Sequence, residues 1–138
     1  MKNMIGIDVG TSGVKSILVD ENGDLVADAF EEYALNTPHP HWAEQDPADW
    51  WRATVNTVCD VVKSSEVDPD SVSGVGLSGQ MHSSVLLDES DEVLRPSILW
   101  CDTRTTEQCR WITETVGEQK LAQWVSNPAL EGFTAPKL

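Results

Sequence analysis

The sequence predicts an α/β fold built on a mixed sheet, and three observations carry that expectation. Three strand-like segments follow one another before residue 34, the last two separated by Glu21-Asn22-Gly23-Asp24; Asn-Gly is the strongest short hairpin signal. An amphipathic helix is predicted next, over 47–64. A further strand is predicted over 72–78. A meander followed by a helical crossover to another strand gives a sheet with both antiparallel and parallel pairs.

The elements follow in chain order. Asn3 to Val9 is the first strand and Val14 to Asp20 the second. In the second, Val14, Ser16, Leu18 and Asp20 share one side, while Lys15, Ile17 and Val19 share the other. Apolar residues on both sides predict a strand covered on both faces. Leu25 to Tyr33 is the third, joined to the others by two tight turns. Pro38 and Pro40 break the chain. Asp46-Pro47 then sets an N-cap before a proline at the first helical position. Trp51, Val55, Val58 and Val62 fall at helical spacing and predict the buried face of that helix. Trp42, Trp50 and Trp51 read as packing residues, and Glu44, Asp46 and Asp49 as cap and surface charges.

Past the strand at 72–78, Ser84 to Asp88 reads as another strand, Asp88 to Glu92 as a turn, and Ile98 to Trp100 as a short apolar segment. A second helix is predicted from about Arg104, capped by Asp102 or Thr103, with Cys109, Ile112 and Val116 on one face. Gly117 ends it, and a short helix follows over 118–125 before Ser126-Asn127-Pro128. Gly132 to Leu138 reads as the start of one more element, so the chain is expected to be a piece of a longer protein.

Length and composition bound the function. A chain of 138 residues suits one compact domain with a real core. A net charge of -14, from 23 acidic and 9 basic residues, argues against nucleic acid or an anionic membrane as partner. It reads as an ordinary acidic soluble domain rather than as a high-salt proteome. No apolar run approaches the ~18 residues of a membrane span, and the N-terminus lacks the apolar core of a signal peptide. Cys59, Cys101 and Cys109 form no C-x-x-C pair, which fits reduced thiols in a cytoplasm.

Two stretches raise the question of chemistry. "GVGLSG" at 74–79 matches G-x-G-x-x-G, but a dinucleotide fingerprint needs a glycine turn that opens a helix. Here the glycines lie within a predicted strand, where they are expected to permit close backbone approach. There is no P-loop motif and no H-E-x-x-H. "DVGTSG" at 8–13 is more informative. Asp8 ends the first strand, and the turn after it offers the backbone N–H groups of Gly10, Thr11, Ser12 and Gly13 plus two hydroxyls. Successive N–H groups in a tight turn form an anion-binding concavity. A carboxylate beside it suits a hydrated Mg²⁺, which keeps several of its waters. Carboxylate and phosphate cradle together are what phosphoryl transfer needs. A plain hairpin with a solvated aspartate explains the same residues, and the local sequence leaves both readings open. The stretch also resembles the D-T-G-[TS] loop of aspartic proteases, but Val9 departs from that pattern and no second such loop occurs.

Taken together, "GIDVGTSGVKSILVDENGDLVA" resembles the first phosphate hairpin of the actin-like ATPase superfamily. "HPHWAEQDPADWW", "GVGLSGQMHSSVLLDESDEVLRPSILWCDTR" and "GFTAPKL" resemble successive segments of xylulose kinases in the FGGY carbohydrate kinase family. The resemblance runs from Ile5 to Leu138. It implies a ribonuclease-H-like, actin-like ATPase domain, present only in part. It implies that residues 1–138 are the N-terminal part of the sugar-binding domain, and that the catalytic-base region and the C-terminal nucleotide domain lie outside this chain. The activity it implies is transfer of the ATP γ-phosphate to the 5-hydroxyl of D-xylulose, giving D-xylulose 5-phosphate, with Mg²⁺, in the cytoplasm. A homodimer is expected of the full-length form, and the fragment alone is expected to be inactive.

By the same resemblance, Asp8 is the acidic residue near metal and phosphates, and Gly10, Thr11, Ser12 and Gly13 face the γ-phosphate. Met81 and His82 match the sugar-contacting pair, and Trp100 and Asp102 match the segment lining the sugar pocket. Another FGGY kinase, for ribulose, fuculose or glycerol, is the first alternative; Gln80-Met81-His82 disfavours it, because the glycerol enzymes carry a charged pair there. A noncatalytic truncated actin-like binding module is the second.

Overall fold

The computed structural model describes residues 2–138. Where the length predicts one compact domain, the residues fall into two compact units interleaved along the chain: 2–34 with 47–80, and 35–46 with 81–138.

The first unit is a four-stranded sheet with one long helix. Strands β1 (Asn3–Val9), β2 (Gly13–Val19) and β3 (Leu25–Glu32) form the expected antiparallel meander. The turn into β3 holds Gly23 at φ 87, a left-handed conformation that glycine adopts without strain. The Asp20 carboxylate accepts hydrogen bonds from the Asn22 and Asp24 N–H groups across that turn. Helix α1 (Pro47–Ser65) follows β4 (Glu44–Gln45), a short strand of the second unit. It returns the chain through a 3₁₀ turn (Pro69–Ser71) to β5 (Val72–Gly79), which pairs parallel to β1. The order β3-β2-β1-β5 makes β5 an edge.

The core lies between α1 and one face of the sheet. Ile5, Ile7, Val14, Leu18, Ala53 and Val61 are its buried apolar residues. Val14, Ser16 and Leu18 are fully buried, whereas Lys15, Ile17 and Val19 on the other side are only partly covered. The expectation of two covered faces for β2 is therefore corrected: among the described residues one helix covers one face. The face of α1 differs too. Ala53, Thr57 and Val61 are its buried residues, Val58 and Val62 are half-buried against the core, and Trp51 and Val55 are exposed. Small residues let the helix approach the sheet. The Thr57 hydroxyl donates to the Ala53 carbonyl and meets the Ser16 hydroxyl at 2.7 Å, so a polar residue fits the seam without an unmet hydrogen bond.

The second unit is irregular. Strand β4 pairs with β6 (Ser97–Ile98), and helices α2 (Thr106–Val116) and α3 (Glu118–Val125) meet at Gly117, φ 87. A 3₁₀ turn over Ala135–Lys137 ends the chain. The strand expected over 84–88 is not formed; Ser84 and Leu87 make isolated bridges to Ile98 and Val93. Helix α2 begins two residues later than expected, and its N-cap Thr105 makes no side-chain cap bond. Neither Asp102 nor Thr103 caps it, because the Asp102 carboxylate is engaged elsewhere.

Candidate active site

One group of candidate residues belongs to the sheet unit. Val9 and Val14 close the β1–β2 hairpin, and Asp8 stands opposite Lys15. Gly13 fits because a Cβ there would collide with the Glu31 carbonyl and the Phe30 ring. Tyr33 ties the turn down: its N–H donates to the Ser12 carbonyl (3.3 Å) and its hydroxyl to the Gly10 carbonyl. Gln80, just past β5, adds an Nε2 donor to the same Gly10 carbonyl at 3.4 Å and accepts from the Thr11 hydroxyl at 3.4 Å. Burial, followed by the negative charge of Asp8, pushes the Tyr33 phenol up to about 12. Tyr33 is therefore a neutral donor at physiological pH.

The turn is more closed than the sequence implies. The Gly10 N–H is committed to the Gly13 carbonyl at 3.0 Å, which removes it from the expected cradle. Ser12 sits exposed at the tip, and neither its N–H nor its hydroxyl is bonded among the described residues. Asp8 is exposed and lines a concavity of about 350 Å³ with Gly6, Lys15, Ile17, Gly76 and Ser78. Its carboxylate forms no hydrogen bond or ion pair among the described residues, while Lys15 is paired with Asp28. No cluster of three His, Cys, Asp or Glu side chains lies among the described residues. A lone open carboxylate beside a turn fits Mg²⁺, which takes one or two carboxylates and otherwise water and phosphate oxygens.

The glycines of 74–79 lie inside β5, so the dinucleotide reading stays excluded. Their expected role holds only in part. A Cβ on Gly79 would stand 2.9 Å from the Val9 carbonyl, but Gly74 and Gly76 face open space.

Another group belongs to the irregular unit. Met81 is 72% exposed. His82 is exposed as well, with φ 61, a left-handed backbone that a side-chain-bearing residue rarely adopts. Its ring lies 4.7 Å from that of Phe133, and its side chain makes no hydrogen bond among the described residues. A histidine held for packing is buried and bonded; this one is exposed. Trp100 is half exposed, and its carbonyl lies against Gly132, where a Cβ would stand 2.8 Å away. Lys137 closes the arrangement by donating to the carbonyls of His82 and Gly132, each at 2.8 Å. The structure thus gathers His82 and Trp100 around the 132–137 segment.

Asp102 behaves differently. Its exposure is 0%, and both carboxylate oxygens are occupied. Oδ2 accepts from the Ala43 N–H at 2.7 Å and from Arg104 Nη2 at 2.6 Å; Oδ1 accepts from the Arg104 N–H at 2.9 Å. Burial pushes its pKa up, but the bonds from Arg104 and Ala43 outweigh burial and hold it below the usual carboxylate range. Arg104 also pairs with Glu44 at 2.8 Å and lies 3.5 Å over the Trp42 ring. The carboxylate fixes the bend after Trp100 and has no lone pair turned outward. Trp42, read as a packing residue, serves as the guanidinium's platform.

Sequence reasoning did not single out Tyr33, Arg104, Phe133, Gly132 or Lys137 as site residues, and it used Gln80 only as part of the Gln80-Met81-His82 pattern. Arg104 and the 132–137 run carried a signal as letters of the resembling motifs. Their bonds span 2 to 70 residues and leave no local pattern.

Known proteins are similar to this chain along most of its length. The chain is 46% identical over 138 residues to the xylulose kinase of Bacillus subtilis, covering 100% of this chain and 28% of that protein. It is 47% identical over 137 residues to the xylulose kinase of Klebsiella pneumoniae, covering 97% of this chain and 27% of that protein. A crystal structure of a xyloylose kinase from Brucella ovis superposes with a TM-score of 0.90 at 41% identity, over 98% of this chain and 28% of that one. The chain therefore spans little more than a quarter of the relatives it matches, and the fold is that of the sugar kinases of the actin-like ATPase class. The model of the FGGY N-terminal domain matches residues 3–138, and the chain belongs to the FGGY family of carbohydrate kinases.

Proposed function

We propose that residues 1–138 form the N-terminal part of the sugar-binding domain of a cytoplasmic kinase that phosphorylates D-xylulose at its 5-hydroxyl with ATP. The observation that carries this reading is His82. It is exposed, its imidazole is unpaired among the described residues, and its backbone is held in a left-handed conformation beside Phe133. Xylulose kinases match this chain along its whole length.

In this reading the chain's residues divide the work. A neutral imidazole carries one donor and one acceptor and reads a sugar hydroxyl in either sense. Trp100 offers an apolar face to the carbon skeleton and Met81 fills the remaining wall. Asp102, with Arg104, sets the direction of the Trp100 bend and touches no sugar. Ser12 and the hairpin tip take the γ-phosphate oxygens. Asp8 would hold Mg²⁺, largely through water; when bound, the ion draws charge off the phosphates. The substrate hydroxyl gives its proton to a base outside these residues as its oxygen bonds to the γ-phosphorus. The bond from that phosphorus to the β-phosphate oxygen breaks, and ADP leaves.

The test is a coupled ADP-release assay on the full-length protein with D-xylulose, D-ribulose, L-fuculose, gluconate and glycerol. D-xylulose is expected to give the highest kcat/KM by at least tenfold. A higher value with any of the other four would reassign the substrate.

A further inference from the structure

We infer that Lys137 is a positioning residue for sugar recognition, acting through the backbone of His82. The inference rests on the proposed role of His82 as a sugar contact. Lys137 is 7% exposed, and its ammonium donates to two carbonyls, those of His82 and Gly132, both at 2.8 Å.

A buried ammonium is costly and persists only when its hydrogen bonds are met. Burial lowers the Lys137 pKa, and the nearby charge of Asp102 works against that. No carboxylate makes an ion pair with it among the described residues. A lysine needed only to fill space would be replaced at less cost by an apolar residue of similar length. What the ammonium does here is local. His82 sits at φ 61, a sparsely populated conformation that persists only where the surroundings fix it. The charge-assisted bond to its own carbonyl is such a fixing contact.

The second carbonyl explains the partner. Gly132 packs on the Trp100 carbonyl and immediately precedes Phe133, whose ring lies 4.7 Å from the imidazole. One ammonium therefore ties the backbone of the imidazole-bearing residue to the segment that supports both its ring and Trp100. The 3₁₀ turn over Ala135–Lys137, held by the Lys137 N–H on the Thr134 carbonyl at 2.9 Å, delivers the side chain inward.

The experiment is a double-mutant cycle in the full-length protein with Lys137→Met and His82→Ala. Melting temperature and kcat/KM for D-xylulose and for ATP are read for each. Lys137→Met is expected to lower xylulose kcat/KM by about 10- to 100-fold, mainly through KM, with ATP KM within about twofold of wild type. In the double mutant the losses should not add, because a residue acting through His82 has nothing left to act on. Additive losses would overturn the inference, as would wild-type xylulose kinetics in folded Lys137→Met. Should that variant fail to fold, Lys137→Gln, which keeps one amide donor, is expected to show a smaller loss confined to xylulose; wild-type kinetics there would overturn the inference. If His82→Ala alone leaves xylulose kcat/KM unchanged, the sugar-contact reading itself falls. If His82→Ala is impaired and folded Lys137→Met is not, only the positioning role falls.

Discussion

The two units of this chain are stabilised by different physics. In the sheet unit, fully buried Val14 and Leu18 meet the Ala53 and Val61 face of α1, and the strongest polar seam is a pair of hydroxyls, Ser16 and Thr57. In the irregular unit, the fully buried carboxylate of Asp102, the guanidinium of Arg104 and the ammonium of Lys137 do the organising. Apolar burial is non-directional and tolerant, so it builds a scaffold. Buried charges demand geometry and punish its loss, so they set the loop conformations on which candidate sugar-facing side chains stand. A hairpin of the kind proposed for phosphate needs only a turn with a carboxylate; a sugar pocket needs loops held in one shape.

The largest expected effect tests whether these units suffice. Residues 1–138 alone are expected to give no ATP-dependent xylulose 5-phosphate, because the proposed base and nucleotide domain lie elsewhere. Steady turnover by this piece in a coupled assay would break that expectation.

The next effect separates the two kinds of stabilisation. Asp102→Ala should destabilise by about 3 kcal/mol, since it removes one of the two carboxylates that hold the buried Arg104 guanidinium, Glu44 remaining, and leaves the Ala43 N–H unmet. Acid should do the same more gently. The Asp102 pKa is lowered in the folded state, so its contribution is present above the unfolded value of 3.8 and is lost as pH falls through the folded value. Hydrogen exchange at pH 3 is therefore expected to lose protection over 97–105 before 14–18. Simultaneous loss in both segments would erase the distinction.

Smaller effects fall on activity in the full-length protein. Asp8→Ala is expected to lower kcat by ~10²-fold or more with xylulose KM little changed, as losses of charge stabilisation commonly do. A near-wild-type kcat would reduce the hairpin to a turn. His82→Ala should cost ~1–3 kcal/mol, roughly 5- to 150-fold in xylulose kcat/KM, with ATP KM nearly unchanged and Tm held. A drop in Tm that affects both substrates alike would return His82 to a packing role.

The same division decides what could be read from the letters. The largely apolar stretch up to Asp8 located β1 over Asn3–Val9, and Asp46-Pro47 with the helical spacing located α1 to within one residue of its end. Signals of that kind are local. The helix face was misread because Ala53 and Thr57 look unremarkable beside Trp51 and Val55; close approach to a sheet favours the small pair, and no periodicity announces it. In the second unit the letters misled further. Ser84 to Asp88 reads as a strand, with three apolar residues in a row, yet it forms only bridges. Asp102 looks like a cap, yet it bonds Ala43, 59 residues earlier in the chain. Asp8 and His82 were legible as letters of a family pattern. The groups bonded to the backbone beside them, Tyr33 on the Gly10 carbonyl and Lys137 on the His82 carbonyl, were not, because a carbonyl acceptor leaves no trace in a sequence.

One edge of the sheet has a consequence for synthesis. β3, the edge on one side, carries Asp28, Glu31 and Glu32, which repel a docking strand. β5, the edge on the other, has no charged residue, and its Val75 and Leu77 are 61% and 78% exposed. Ribosomes add about 5–20 residues per second, and in the xylulose kinases matched here nearly three quarters of the protein lies outside the matched region. The uncharged edge would then wait on the order of tens of seconds for any partner encoded downstream. During that interval neighbouring nascent chains on one messenger are its nearest alternative partners. In a protein of that length, translation speed past the matched region becomes a determinant of yield.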